Sequence, residues 1–309
     1  MKKRVCVIGA GNVGATTAQL LAQAGLSDVV LFDIVEGLAA GKALDILEAC
    51  PLWGSASRVE GATEYAATAG SDIAVITAGL PRKPGMSRDD LLQANADIVK
   101  EAAEAVSKAS PGAMLIVVTN PMDVMTQLAW KASGLEHRRV MGMGGVLDSA
   151  RFRAFVALEA GVSPADVEAL VLGGHGDQMV PLPRYTTVKG VPVTEVLPEE
   201  KVSSLIDRTR NGGAEIVGYL KTGSAYYAPA ASIFEMVKSI LLDEKRVLPM
   251  AACLTGQYGV EGLYAGVPAV LGSSGVEKVV ELRLSGAEKE AFERSVSAVR
   301  ELTRKLGIT

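Results

Sequence analysis

The stretch 171-VLGGHGDQMVPL-182 sets His175, one of only two histidines in the chain, among Gly173, Gly174 and Gly176. Two readings are open. The glycines mark a turn with an incidental polar residue in it, or they clear space for another molecule to reach the ring. Upstream, 145-GVLDSARFR-153 carries Asp148 and Arg151 three residues apart, which places them on one face of a helix. Alone, that pair more readily describes an ion pair on a helix surface. The three residue types nevertheless share a chemistry. Oxidation of an alcohol to a ketone releases a hydride and a proton, and imidazole is suited to take the proton near neutral pH. A carboxylate on the other ring nitrogen favours imidazolium and fixes the tautomer. A guanidinium offers two parallel donors to a carboxylate. His175, Asp148 and Arg151 supply the types of group that oxidation of a 2-hydroxy acid needs. His137, in GLEHRRV, has no comparable partners and reads as an ordinary exposed histidine near a helix end.

A hydride needs an acceptor, and the N-terminus offers a place for one. The first apolar run leads into Gly9-Ala10-Gly11-Asn12-Val13-Gly14, a G-x-G-x-x-G between a strand and a helix. With 33 glycines in the chain the motif alone is weak, and a turn without ligand is its alternative. Its context suits Gly9 to the tight turn, Gly11 to approach of backbone to a pyrophosphate, and Gly14 to close packing of helix on strand. The helix N-terminus supplies free N–H groups and the positive end of its dipole. Asp33, at the end of the second apolar run, would accept from both ribose hydroxyls of NAD and repel the 2′-phosphate of NADP, so NAD is the expected cofactor.

These residues must be held by a particular order of elements. Strands are expected at 4–10, 29–34, 72–79 and 114–120, each apolar on successive residues, as a parallel sheet covered on both faces requires. Helical patterns at 13–25, 36–49, 88–109 and 122–133 lie between them. This alternation predicts an α/β fold with a doubly wound parallel sheet. Near Gly142 the texture changes. Helices at 148–160, 200–219, 224–242 and 286–306 alternate with short strands at 168–172, 180–182, 184–188, 191–193, 248–254, 260–262 and 265–272, giving a mixed α+β half. The division is set at residues 1–145 and 146–309, with no linker between and a tight interface expected.

The chain has 309 residues and a net charge of −4, which gives no global case for nucleic acid or an anionic membrane. No stretch approaches a membrane span. Cys6, Cys50 and Cys253 have no motif spacing and are odd in number, arguing against a disulfide framework and for a reducing cytosol.

In order along the chain, VIGAGNVG, DI-x-EG, ITAGLPRKPGMSR, VVTNP, LDSARFR, GGHGD and SAYYAPA resemble the lactate/malate dehydrogenase family over essentially the whole length. The resemblance implies a Rossmann-type NAD domain followed by that family's catalytic domain. It makes His175 the proton donor, Asp148 its partner and Arg151 the clamp for the substrate carboxylate. Asn120 would contact substrate and nicotinamide, and the Asn120–Pro121 bond would be cis. Cofactor contacts are implied at Gly9, Gly11, Asn12, Val13, Gly14, Asp33, Thr77, Ala78, Gly79, Asn95, Val118 and Asn120, and no metal.

The segment 79-GLPRKPGMSRDD-90 carries Pro81, Pro84 and Gly85 and reads as a loop able to close as a lid. A solvated basic loop is the plainer account of its cations, and it is kept for Lys83. By resemblance Arg88 polarises the substrate carbonyl and Arg82 occupies the discriminating position. Arginine there suits oxaloacetate, whose second carboxylate needs a partner when enclosed. Ala225, where the lactate enzymes tend to carry threonine, leaves room for the longer dicarboxylate. The resemblance is greatest to the lactate-dehydrogenase-like bacterial malate dehydrogenases. It implies malate and oxaloacetate as substrates, the tricarboxylic acid cycle as setting, a cytoplasmic location and a homo-oligomer, tetramer before dimer.

Overall fold

The structure, a computed structural model, describes residues 2–80 and 88–308, and of Arg88 the backbone alone. The first half runs β1 (Lys3–Ile8), α1 (Asn12–Ala24), β2 (Ser27–Phe32), α2 (Leu38–Trp53), β3 (Val59–Ala62), β4 (Ile73–Ile76), α3 (Arg88–Ala109), β5 (Met114–Val117), α4 (Met122–Ser133) and β6 (Val140–Gly142). The second half runs α5 (Gly145–Ala160), β7 (Val167–Glu168), β8 (Val171–Gly173), β9 (Met179–Pro181), β10 (Thr187–Val188), β11 (Val191–Pro192), α6 (Val193–Val196), α7 (Glu199–Leu220), α8 (Tyr227–Leu241), β12 (Arg246–Thr255), β13 (Glu261–Gly272), β14 (Gly275–Val279) and α9 (Gly286–Lys305).

The expected doubly wound sheet is present. Strands β3, β2, β1, β4, β5 and β6 lie side by side and parallel. Their order reverses between β1 and β4, so the crevice at the carboxyl ends of those two strands is the topological switch point. The strands stop earlier than their apolar runs. They end at Ile8, Phe32, Ile76 and Val117, and the residues that follow peel away as loops at that one edge of the sheet. Three strands escape the sequence pattern. β3 reads VEGA and β14 reads GVEKV, both with charge in the run, and β6 is only three residues long.

The second half mixes helices and strands as expected, and its longest strands, β12 and β13, with β14 continue the same sheet in antiparallel fashion beyond β6, joined there through Ala251 and Gly142. The two short strands expected at 260–262 and 265–272 are one strand, β13. Gly266 breaks the apolar pattern, yet it is where the main chain of β8 crosses: a Cβ there would lie 2.1 Å from the Gly173 carbonyl oxygen. One hydrophobic core extends from Val5 and Ile76 through Met141 to Ala252, Val267 and Phe292, and a smaller one gathers Phe152, Val156, Val167, Val193 and Leu205. Among the described residues no helix is long and apolar enough to cross a membrane.

A buried glutamine seals the junction. β13 pairs with β12 along its length, but with β14 only from Ala269 to Gly272. Its earlier backbone groups would otherwise present an open edge. Gln127 of α4 supplies what a strand would: its Oε1 accepts from the Tyr264 N–H at 3.1 Å and its Nε2 donates to the Gly262 carbonyl at 3.1 Å. Tyr264 in turn donates its hydroxyl to the His137 carbonyl at 3.0 Å, and His137 is half-buried in a short turn before β6, not the exposed residue expected. Replacing Gln127 with Leu should leave two main-chain groups unpaired and lower the unfolding free energy by about 2 kcal/mol or more, measured by denaturant titration. A loss below about 0.5 kcal/mol would show that β13 does not depend on this cover.

Candidate functional site

At the switch point the glycine-rich turn is packed from within and open outside. Gly9 has φ +104°, and a Cβ on it would sit 2.8 Å from the Ala78 nitrogen after β4. A Cβ on Gly14 would lie 1.8 Å from the Gly9 carbonyl oxygen, so α1 can rest on the turn only without a side chain there. The Thr77 hydroxyl and the Ala78 N–H bind the Ile8 carbonyl at 3.1 and 2.8 Å. Gly11, by contrast, has no neighbour within 4 Å of where its Cβ would be. It is the N-cap of α1, which has no side-chain cap and no acid in its first turn. Asn12 is exposed and Val13 half-buried beside it. These free N–H groups at a helix start suit a phosphate, and the dinucleotide expected from the sequence fits them.

Asp33 follows β2 and does more than was expected of it. Its Oδ2 accepts from the Ala10 N–H at 2.7 Å and its Oδ1 from the Val35 N–H at 3.0 Å. Each carboxylate oxygen keeps a lone pair for a ribose hydroxyl. Lys42 of α2, not singled out in the sequence, donates to the Ala10 carbonyl at 2.7 Å and ties the turn from its other side. Gly79 and Val118 lie in the loops after β4 and β5. Asn95, expected to touch cofactor, is buried in α3 with its amide already spanning those loops: its Oδ1 accepts from the Leu80 N–H at 2.7 Å and its Nδ2 donates to the Asn120 carbonyl at 2.8 Å. The Asn120–Pro121 bond is cis, as expected, and the Asn120 side chain is exposed.

The acid–base candidates converge. α5 carries Asp148 and Arg151 on one face, and the loop between β8 and β9 carries His175 to it. His175 Nδ1 lies 2.9 Å from Asp148 Oδ2, and Arg151 Nη1 lies 3.4 Å from Asp148 Oδ1. Asp148 is buried, at 1% exposure, while the ring keeps part of its surface. Burial alone would draw the His175 pKa down. The charge and hydrogen bond of Asp148, with the charge of Asp123, outweigh it against Arg151 and raise it above the ordinary 6.5. Arg151 is lowered by burial, partly offset by Asp148, and its Nε has no hydrogen-bond partner among the described residues. It lies against α7 where Gly212 leaves room: a Cβ there would be 3.2 Å from Arg151 Cδ.

The glycines around His175 were expected to admit other molecules to the ring. Two of them do something else. A Cβ on Gly173 would meet Ser295 Oγ of α9 at 2.8 Å, and one on Gly174 would meet Asp123 Oδ2 of α4 and Ser295 Oγ, each at 3.3 Å. Gly176 alone of the three faces open space. Asp123 and Ser295 do not stand out in the sequence. Asp123 accepts the His175 N–H at 2.9 Å and Ser295 accepts the Gly174 N–H at 2.6 Å. Burial pushes the Asp123 carboxyl up to about 6. A signal is present, an acid in the first turn of α4 three residues after Asn120, but nothing local pairs it with residue 175.

Arg82 and Lys83 lie outside the described residues, as does the Arg88 side chain, although α3 begins at Arg88 as predicted. Ala225 is half-buried just before α8, a helix that packs on both α1 and α5.

Comparison with known proteins finds relatives along the whole chain. The family described as lactate/malate dehydrogenase, NAD binding domain, matches residues 3–142, and its partner, lactate/malate dehydrogenase, alpha/beta C-terminal domain, matches residues 145–306. The malate dehydrogenase of Thermomicrobium roseum is 57% identical over 306 residues, 99% of each chain. The apo structure of the Picrophilus torridus malate dehydrogenase superimposes with a TM-score of 0.96 at 50% identity, covering 98% of this chain and 97% of that one. A Cryptosporidium parvum lactate dehydrogenase, solved with lactic acid and its nicotinamide cofactor, does so equally at 0.96 and 42% identity, covering 99% and 98%. The chain belongs to the lactate/malate dehydrogenase family.

Proposed function

We propose that the chain is an NAD-dependent malate dehydrogenase, interconverting (S)-malate and oxaloacetate. The observation that carries the chemistry is the His175–Asp148 contact. It occupies Nδ1 and leaves Nε2 to exchange a proton with the substrate oxygen. Residues 1–145 bind the cofactor and residues 146–309 carry the proton donor and the carboxylate clamp. Gly9, Gly11, Asn12, Val13 and Gly14 hold the pyrophosphate and Asp33 the adenine ribose. Thr77, Ala78, Gly79, Val118 and Asn120 form the rest of the cofactor wall, and the buried Asn95 ties its loops together from behind. Bound NADH supplies the hydride to the substrate carbon.

In the reducing direction Arg151 grips one carboxylate of oxaloacetate with its planar donors. His175, as imidazolium, gives its Nε2 proton to the keto oxygen. Asp148 stabilises the charged ring before transfer and holds its orientation throughout. By the family resemblance, Arg82 takes the second carboxylate and Arg88 the carbonyl. Pyruvate would leave Arg82 unpaired, a loss of about 1.5–3 kcal/mol, or roughly ten- to a few-hundred-fold in preference. The curated relatives named malate dehydrogenase support that choice, whereas the fold does not separate the two substrates.

A homo-oligomer, tetramer before dimer, is part of this reading, as are a cytoplasmic setting and the tricarboxylic acid cycle. Exposed apolar side chains on α2 (Leu44, Leu47, Leu52) and near the facing ends of α7 and α8 (Tyr219, Leu220, Tyr227) support association. Three free, buried cysteines fit a reducing compartment.

Three measurements check the reading. Oxaloacetate and pyruvate are assayed side by side with NADH and NADPH. Oxaloacetate with NADH should be preferred, and Arg82→Gln should move preference towards pyruvate by about tenfold or more. Unchanged selectivity in that variant would sink the assignment of Arg82. Reduction requires imidazolium, so its kcat/KM should hold in acid and fall as pH rises through the raised His175 pKa, above 6.5. Malate oxidation requires the neutral ring and should rise over the same range. Profiles without opposite limbs would remove His175 from proton transfer. Sedimentation velocity should find a species of four chains, and a monomer at micromolar concentration would overturn the association.

A further inference from the structure

We propose that Asp123 is a positioning residue for proton transfer: its buried carboxylate holds the His175 main chain and places a second negative charge behind the imidazole, while Ser295 holds the preceding peptide. The proposal rests on the reading of His175 as proton donor and names what tunes it.

Asp123 has an energetic oddity. It lies in the first turn of α4 at 5% exposure, where the helix dipole offsets part of the cost of its charge. Oδ2 accepts the His175 N–H, but Oδ1 is buried with no hydrogen-bond partner among the described residues. A neutral acceptor would satisfy that one N–H as well. A buried charge with half its acceptor capacity unused costs stability, so the fold alone does not account for a carboxylate here. The nearby charge that benefits is the imidazolium.

The charged groups facing His175 can be named element by element. From α5 come Asp148 on Nδ1 and Arg151 in opposition; from α4 comes Asp123; from α9 comes only the uncharged Ser295 hydroxyl. Among the described residues, two carboxylates thus work against one guanidinium. The backbone is organised to match. Consecutive N–H groups, of Gly174 and His175, are taken by side chains from two different helices, and the missing Cβ atoms of Gly173 and Gly174 let both approach. Burial lifts Asp123 to about 6, and the His175 N–H and the charge of the ring oppose that rise.

The test uses the small number of histidines. Protein labelled with 15N-histidine gives ring signals from His137 and His175 alone. Asp123→Asn keeps an acceptor for the His175 N–H and removes the charge. The His175 midpoint should fall by about 0.5–1 pH unit with His137 unmoved, and the falling limb of oxaloacetate reduction should move to acid by the same amount. Ser295→Ala should lower kcat several-fold without moving the midpoint. An unmoved midpoint in Asp123→Asn, or an equal shift in Ser295→Ala, would overturn the proposal. Should Asp123→Asn fail to fold, the unsubstituted protein decides: its His175 signals should show a second, smaller inflection on the acid side as Asp123 protonates, and a single-step curve refutes the coupling. The titration needs no substrate. Inactivity towards oxaloacetate would therefore sink the catalytic reading separately, without moving the midpoint.

Discussion

One buried carboxylate organises the second half of the molecule. Asp148 shares its two oxygens between the His175 ring and the Arg151 guanidinium, at 2.9 and 3.4 Å. At 1% exposure it depends on both partners, because a buried charge without paired charge or hydrogen bonds is costly. The same sharing sets the distance between the group proposed to move a proton and the group proposed to hold the substrate's acid end. Spacing within α5 and the reach of the β8–β9 loop are both subordinate to it. Gly212 in α7 is one sign of this. A glycine inside a helix costs about 0.5–1 kcal/mol relative to alanine, and here it leaves Arg151 the space it occupies.

The first half obeys a different constraint, the close approach of backbone to backbone. α1 lies on the turn after β1 because nothing projects from Gly14. The loops after β1, β4 and β5 are laced to one another by main-chain groups and by Thr77, Thr119 and Asn95. A wall made this way presents few long side chains, and the face of Gly11 stays open.

Much of this is legible in the chain. Helices α3 and α4 match their sequence patterns to the residue, since their apolar spacing is regular and their ends are marked by turn residues. The convergence of Asp148, Arg151 and His175 follows from residue type and from motif order. What stays hidden depends on tertiary pairing. β3, β6 and β14 are short or carry charge, so their strand character comes from neighbours across the sheet. Asp123 and Gln127 look like ordinary polar residues of an amphipathic helix. Their partners lie 52 and more than 130 residues away, beyond any local pattern. Gly173 and Gly174 stand out in the chain, but for a reason other than the one their setting suggests. Sequence reveals the missing Cβ and not which neighbour needs the room.

α4 therefore belongs to the first half by chain order and to the second by what it serves. Asp123 and Gln127, four residues apart on one helical face, satisfy the main chains of His175 and of β13. A hybrid joined near residue 145 from two relatives would keep Asp148, Arg151 and His175 together and still separate them from both of these supports. Crossovers placed before α4 would preserve them. The seam along which such enzymes can be recombined thus runs through a helix boundary upstream of the point where the fold changes texture.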